Sequence, residues 1–139
     1  MKDLNFDTGV VTYNLNGACE VSFNPTDSTF VERLFTAFDT LDKKQEDYKA
    51  EAEKNKGTRE IFTTARKLDS EMRDIINETF EQDVCTPLFG EMNVYALADG
   101  LPVWANLMLA VMDETDSAFA REQKAQSPRI RKYSAKYHK

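Results

Sequence analysis

A chain of 139 residues, 41% hydrophobic and 30% charged with a formal net charge of −6, has the length of one domain and enough material for a core without disulfide or metal staples. Its two cysteines, Cys19 and Cys85, show neither CxxC spacing nor a neighbouring histidine, which points away from a zinc site or disulfide framework and towards a reduced pair. The segment MKDLNFDTGV has no apolar run of the secretory kind and no stretch reaches the ~20 apolar residues of a membrane span, so the chain is assigned to a cytoplasm.

The first elements are two alternating runs, Val11, Tyr13, Leu15 and Cys19, Val21, Phe23, around Asn16-Gly17-Ala18. They predict a β-hairpin. A two-residue Asn-Gly loop would put the two apolar sets on opposite faces, whereas a three-residue loop pairs 15 with 19, 13 with 21 and 11 with 23 on one face. The longer loop is favoured, at the cost of a left-handed Ala18. Asn24-Pro25-Thr26-Asp27 then announces a helix that runs to about Lys54, with the stripe Val31, Leu34, Phe38, Leu41, Gln45, Tyr48, Ala52.

A second stripe, Ile61, Ala65, Leu68, Met72, Ile75, Thr79, has the same 3-4 spacing in another phase. Asn55-Lys56-Gly57-Thr58 is therefore a turn, with Gly57 ending one helix and Thr58 capping the next. Folding the helices back on each other pairs Ala52 with Ile61, Leu41 with Met72 and Leu34 with Thr79, each pair of numbers summing to 113, the pattern of an antiparallel αα-hairpin. Extra apolar residues, Phe30 and Phe35 on one helix and Ile76 and Phe80 on the other, place the main core at the open end, while the charged tip is solvated.

Pro87, Gly90 and Gly100 break the chain between residues 83 and 100, with a short turn at Thr86 to Phe89 and irregular or briefly helical backbone from Val94 to Ala98. A third helix starts near Pro102 and ends before Ser127-Pro128. Its opening, LPVWANLMLAVM from Leu101 to Met112, is apolar all round except for Asn106. Such a helix demands burial in a core or an interface. The open end of the hairpin, at Phe30, Phe35, Ile76 and Phe80, supplies one seat, and a second subunit is expected to complete the burial at Trp104, Met108 and Met112.

From Arg121 onward seven Lys/Arg face one acid, giving +6, and the remaining 11 basic and 23 acidic residues give −12. The expected organisation is a single globular domain over 1–126 and a basic, flexible tail over 127–139. Arg129, Arg131 and Lys132 make this tail a second candidate contact surface for a protein partner. Nucleic-acid binding or a regulatory role through the tail is the alternative, disfavoured because an acidic body repels a polyanion.

Catalysis has little to stand on. His138, the sole histidine, is penultimate, and no GxGxxG, P-loop or GxSxG is present. Asp113, Glu114 and Asp116 read as a solvated helix face, so no catalytic, cofactor or metal residues are assigned. The predicted fold is α+β and mainly helical: an N-terminal β-hairpin, a long antiparallel αα-hairpin, a third apolar helix at its open end, and the basic tail.

The hairpin ahead of NPTDSTFVERLFTAF, the helix RKLDSEMRDIINETF and the module FEQDVCTPLFGEMNVYALADGLPVWANLMLAVMDE together resemble the small tail assembly chaperones and related tail-morphogenesis proteins of siphophages and prophages of Gram-positive bacteria. The likeness covers roughly residues 10 to 116 and lies mainly in apolar spacing. It implies a non-enzymatic protein of the infected host's cytoplasm that binds the tape measure protein or tail tube subunits, and the apolar helix adds the expectation of a homo-oligomer.

Overall fold

Val11–Leu15 (β1) and Cys19–Phe23 (β2) pair antiparallel in the expected register, Leu15 opposite Cys19, Tyr13 opposite Val21 and Val11 opposite Phe23. The turn corrects one expectation. Positive φ falls on Asn16 (53°) and Gly17 (68°) and not on Ala18, whose N–H donates to the Leu15 carbonyl at 2.9 Å. Asn-Gly keeps its left-handed turn, and Ala18 is the extra residue that moves the register and unites the apolar sets. Val21 and Phe23 are buried, with the Phe23 ring stacked 4.7 Å from Tyr13 and 4.2 Å from Phe30.

The chain is seen in a computed structural model that describes residues 1–54, 57–125 and 128–137. After β2, Asn24 Oδ1 accepts the Thr26 N–H at 2.8 Å, and Asp27 caps α1 (Ser28–Lys54): its carboxylate accepts the Thr29 N–H and its carbonyl the Val31 N–H, both at 3.0 Å. These bonds satisfy donors that a helix start leaves without partners. The second helix, α2 (Thr58–Phe80), runs back along α1. Lys44 meets Glu71 at 3.1 Å, and Arg33 bonds both the Thr79 carbonyl at 3.1 Å and Glu81 at 3.2 Å. These cross-links match the expected antiparallel alignment. Gly57 is the N-cap of α2, with φ −90° and its carbonyl accepting from Ile61, and Thr58 is the first helical residue, so neither has the expected role. Asn55 and Lys56 lie outside the described residues.

The core is at the open end, but its phase differs slightly from the stripe. Phe30, Leu34, Ala37 and Leu41 are buried on α1, and Leu68, Met72, Ile76, Thr79 and Phe80 on α2. Phe35, expected in the seat for the third helix, is 46% exposed. It follows Leu34 by one residue, and a turn of 100° carries it off the seam. Ile75 and Ile76 exchange importance for the same reason: Ile76 is fully buried and Ile75 only partly.

Beyond α2, Asn77 Oδ1 accepts the N–H groups of Val84 (2.9 Å) and Cys85 (3.1 Å), pinning the start of α3 (Cys85–Phe89). The next stretch corrects the expectation of irregular or helical backbone. Leu97–Ala98 (β3) and Leu101–Pro102 (β4) form a miniature antiparallel hairpin around Asp99 (φ 56°) and Gly100 (φ 80°). Asp-Gly is a strong two-residue hairpin signal, and Leu101 therefore belongs to a strand. Pro102 is the N-cap of α4 (Val103–Lys124), and Arg129–Tyr137 form a helix, α5, inside the segment expected as a tail. Ser127, His138 and Lys139 lie outside the described residues. Among the described residues no helix is long and apolar enough to cross a membrane.

Candidate functional site

α4 answers the question posed by its apolar sequence by dividing it between two faces. Trp104, Ala105, Met108, Val111, Met112, Thr115 and Ala118 turn inward and are buried. Trp104 meets Phe38 edge-on at 5.3 Å and donates its indole N–H to Gln45 Oε1 at 2.6 Å. This explains the polar residue in the α1 stripe: Gln45 is the acceptor that a buried indole needs. Trp104 is 2% exposed, Met108 0% and Met112 8%. The expectation that these three complete their burial with another subunit is therefore corrected, because the chain alone covers them.

What remains only partly covered is a flank of α4. Val103 and Leu107 are half-buried and Ala110 is exposed. Together with Leu15 at the end of β1, Leu88 and Phe89 of α3, and Met92, they wall a groove of about 500 Å³. Asn14, Asn16 and Asn106 edge it, and no ionisable side chain is among its lining residues. An apolar concavity with a few amides at its rim suits the side chains and backbone of a peptide segment.

Two polar networks hold the walls. Asn106 Nδ2 donates to the Ala98 carbonyl at 2.8 Å, tying β3 to α4. On the other side Arg73 Nε pairs with Asp69 Oδ2 at 2.9 Å, and Arg73 Nη2 donates to the carbonyls of Gly90 (2.6 Å) and Met92 (2.7 Å). Asp69 Oδ1 completes the clasp by accepting the Val94 N–H at 2.7 Å. The loop that carries Met92 is thus fastened to α2 by three bonds to or from one ion pair.

The basic candidates stand elsewhere. Arg129, Arg131 and Lys132 are exposed on α5, with Lys132 Nζ 5.9 Å from the centre of the Tyr133 ring. They share no surface with Trp104, Met108 and Met112, which are enclosed. Glu114 of the acidic trio is engaged, accepting the Tyr13 hydroxyl at 2.6 Å and lying 3.5 Å from Arg121. Burial, then the Glu114 hydrogen bond, pushes the Tyr13 phenol up to about 12. Among the described residues no group of three or more His, Cys, Asp or Glu is arranged to hold a metal ion.

The cysteines separate. Cys85 is fully buried, and burial pushes its thiol up to about 12 against the opposing pull of Arg73. Cys19 is half-exposed and less shifted, raised first by burial and then by Asp83. Because the thiolate is the reacting species, a thiol reagent at pH 8 should label Cys19 in the native protein and reach Cys85 only on unfolding. Equal labelling of both at the native rate would contradict the described core.

Reading the sequence missed the groove residues Leu88, Met92, Val103 and Leu107. The signal available was Asp99-Gly100, since recognising that hairpin fixes where α4 begins. No protein-family model, curated protein or solved structure matches the chain.

Proposed function

We propose that this protein is a non-enzymatic assembly chaperone or adaptor that holds an apolar segment of a larger protein in the groove beside α4, the partner being a phage tape measure protein or tail tube subunit. The observation that carries the reading is the groove itself: Leu88, Met92, Val103 and Leu107 form apolar walls, and no ionisable side chain lines them. A helix or strand with regularly spaced apolar side chains fits such a surface, whereas a catalytic site needs reactive groups in its walls. The resemblance supplies the identity of the partner, and the acidic body helps keep such a complex soluble.

Co-expression with the tape measure protein of the same genome tests it. The wild type should carry that protein into the soluble fraction and co-purify with it. Leu107→Glu, which puts a charge into the groove wall at a half-buried position on the edge of the core, should reduce capture at least tenfold and leave the helical signal intact. A wild type that captures neither tape measure nor tube protein sinks the reading. The alternative, nucleic-acid binding, rests on the four cations Arg129, Arg131, Lys132 and Lys136 on α5, a helix with no acid. It requires salt-sensitive DNA or RNA binding that survives Leu107→Glu.

A further inference from the structure

Residues 1–10 precede β1 as an arm without helix, strand, turn or bend, exposed along its whole length. Leu4 and Phe6 are 88% and 82% exposed. Two residues apart, they would share one face wherever the arm docks as an extended strand. The root of the arm is fixed while its apolar part is uncovered: Asn24 Nδ2 donates to the Thr8 carbonyl at 2.9 Å, and Asp7 Oδ1 accepts the Gly9 N–H at 2.8 Å. Gly9 has φ +74°, and a Cβ there would stand 2.6 Å from Asn24 Nδ2, so the joint favours glycine.

This joint lies at the end of the hairpin where Val11 faces Phe23. The groove lies at the opposite end, beside Leu15. At about 3.3 Å per residue, β1 separates them by roughly 13 Å. The arm therefore starts at the end of the hairpin remote from its own groove. A second copy turned end over end brings its arm to this groove, and the operation is reciprocal, as an isologous dimer requires.

We infer that the arm of a second copy occupies the groove, with Leu4 and Phe6 of one protomer against Leu88, Met92 and Leu107 of its partner. A phenylalanine side chain buries roughly 150–250 Å², and a leucine somewhat less. Two reciprocal arms and the walls they cover reach on the order of 1,500 Å², the size of a stable, specific interface. The inference rests on the groove being a docking surface for apolar protein segments, as in the proposed function, and adds its resident: the arm fills the groove until a client segment displaces it.

Sedimentation of the full chain at about 100 μM, beside a variant lacking residues 1–7 and the double variant Leu4→Asp/Phe6→Asp, tests this. The wild type should run as a dimer and both arm variants as monomers with unchanged helical content, because the arm touches none of the core. A labelled peptide of residues 1–10 should bind the truncated protein and lose at least tenfold in affinity for its Leu107→Glu form. A monomeric wild type, or a dimer that survives in both arm variants, overturns the proposal. Neither readout contains a tail protein, so a monomer that still captures tape measure protein removes the arm alone. A dimer that captures none removes only the proposed function.

Discussion

Trp104→Ala is expected to destabilise the protein by about 3–5 kcal/mol, measured as a fall in the urea midpoint at constant slope. The ring is 2% exposed and fixed from two sides, by the edge contact with Phe38 and the hydrogen bond to Gln45. Truncation opens a cavity between α1 and α4 and strands the Gln45 amide in it. Trp104→Phe removes the indole N–H while keeping an aromatic ring in most of the space. Its loss should be smaller, about 1–3 kcal/mol, through the orphaned acceptor and imperfect filling. Gln45→Leu should cost a similar amount by stranding the donor instead. In the Trp104→Phe background it should cost much less, because the pair is then already broken. A loss below about 1 kcal/mol for Trp104→Ala would place the ring outside the core, contrary to the burial seen.

Asp69→Ala should be the next most damaging change, at about 3 kcal/mol, because one carboxylate serves two partners. Its Oδ2 neutralises Arg73 and its Oδ1 accepts the Val94 N–H, with both charged side chains 18% exposed. Removing it leaves a half-buried guanidinium without its counter-charge and a backbone donor without an acceptor. The damage should also be local in a way a core cavity is not. Arg73 holds the carbonyls of Gly90 and Met92, so the amides from about residue 90 to 95 should lose hydrogen-exchange protection before those of α1 and α2. Asp69→Asn keeps an acceptor for Val94 and should cost less. Uniform loss of protection across the chain would show that the clasp serves the whole fold and not the groove wall.

Much of the architecture was legible because it rests on period and register. The hairpin pairing of 15 with 19 followed from requiring both apolar sets on one face, and the structure has that pairing. The αα-hairpin followed from two stripes of opposite direction. Phase within a stripe was less legible: Phe35 and Ile75 looked as good as Phe30 and Ile76. Only the angle at which α1, α2 and α4 meet decides which neighbour is enclosed. Gln45 seemed an interruption because its partner, Trp104, is 59 residues away. The apolar run from Leu101 to Met112 poses a burial problem in the sequence alone, but its pattern does not separate Trp104, Met108 and Met112, which the chain seals, from Val103 and Leu107, which line the groove. Composition shows that a helix is apolar all round and is silent on which side its own chain seals.

The miniature hairpin ahead of α4 settles that side. The N–H of Val103 donates to the Ala96 carbonyl at 2.8 Å and that of Trp104 to the Val94 carbonyl at 2.9 Å, so the first turn of α4 is stitched to the backbone just ahead of β3. These two bonds set the rotational angle of the helix about its own axis before a second turn exists. A slip of one residue there would rotate α4 by about 100°, carrying Trp104 and Met108 to the places of Val103 and Leu107 at the groove and Ala105 and Leu109 to their places in the core. The division of one apolar helix into a sealed face and an offered one is thus written in the backbone from Val94 to Trp104, where the six-residue hairpin of residues 97–102 brings the two bonded stretches together. Insertions at Asp99-Gly100 would act as a rotary switch on the surface the protein presents.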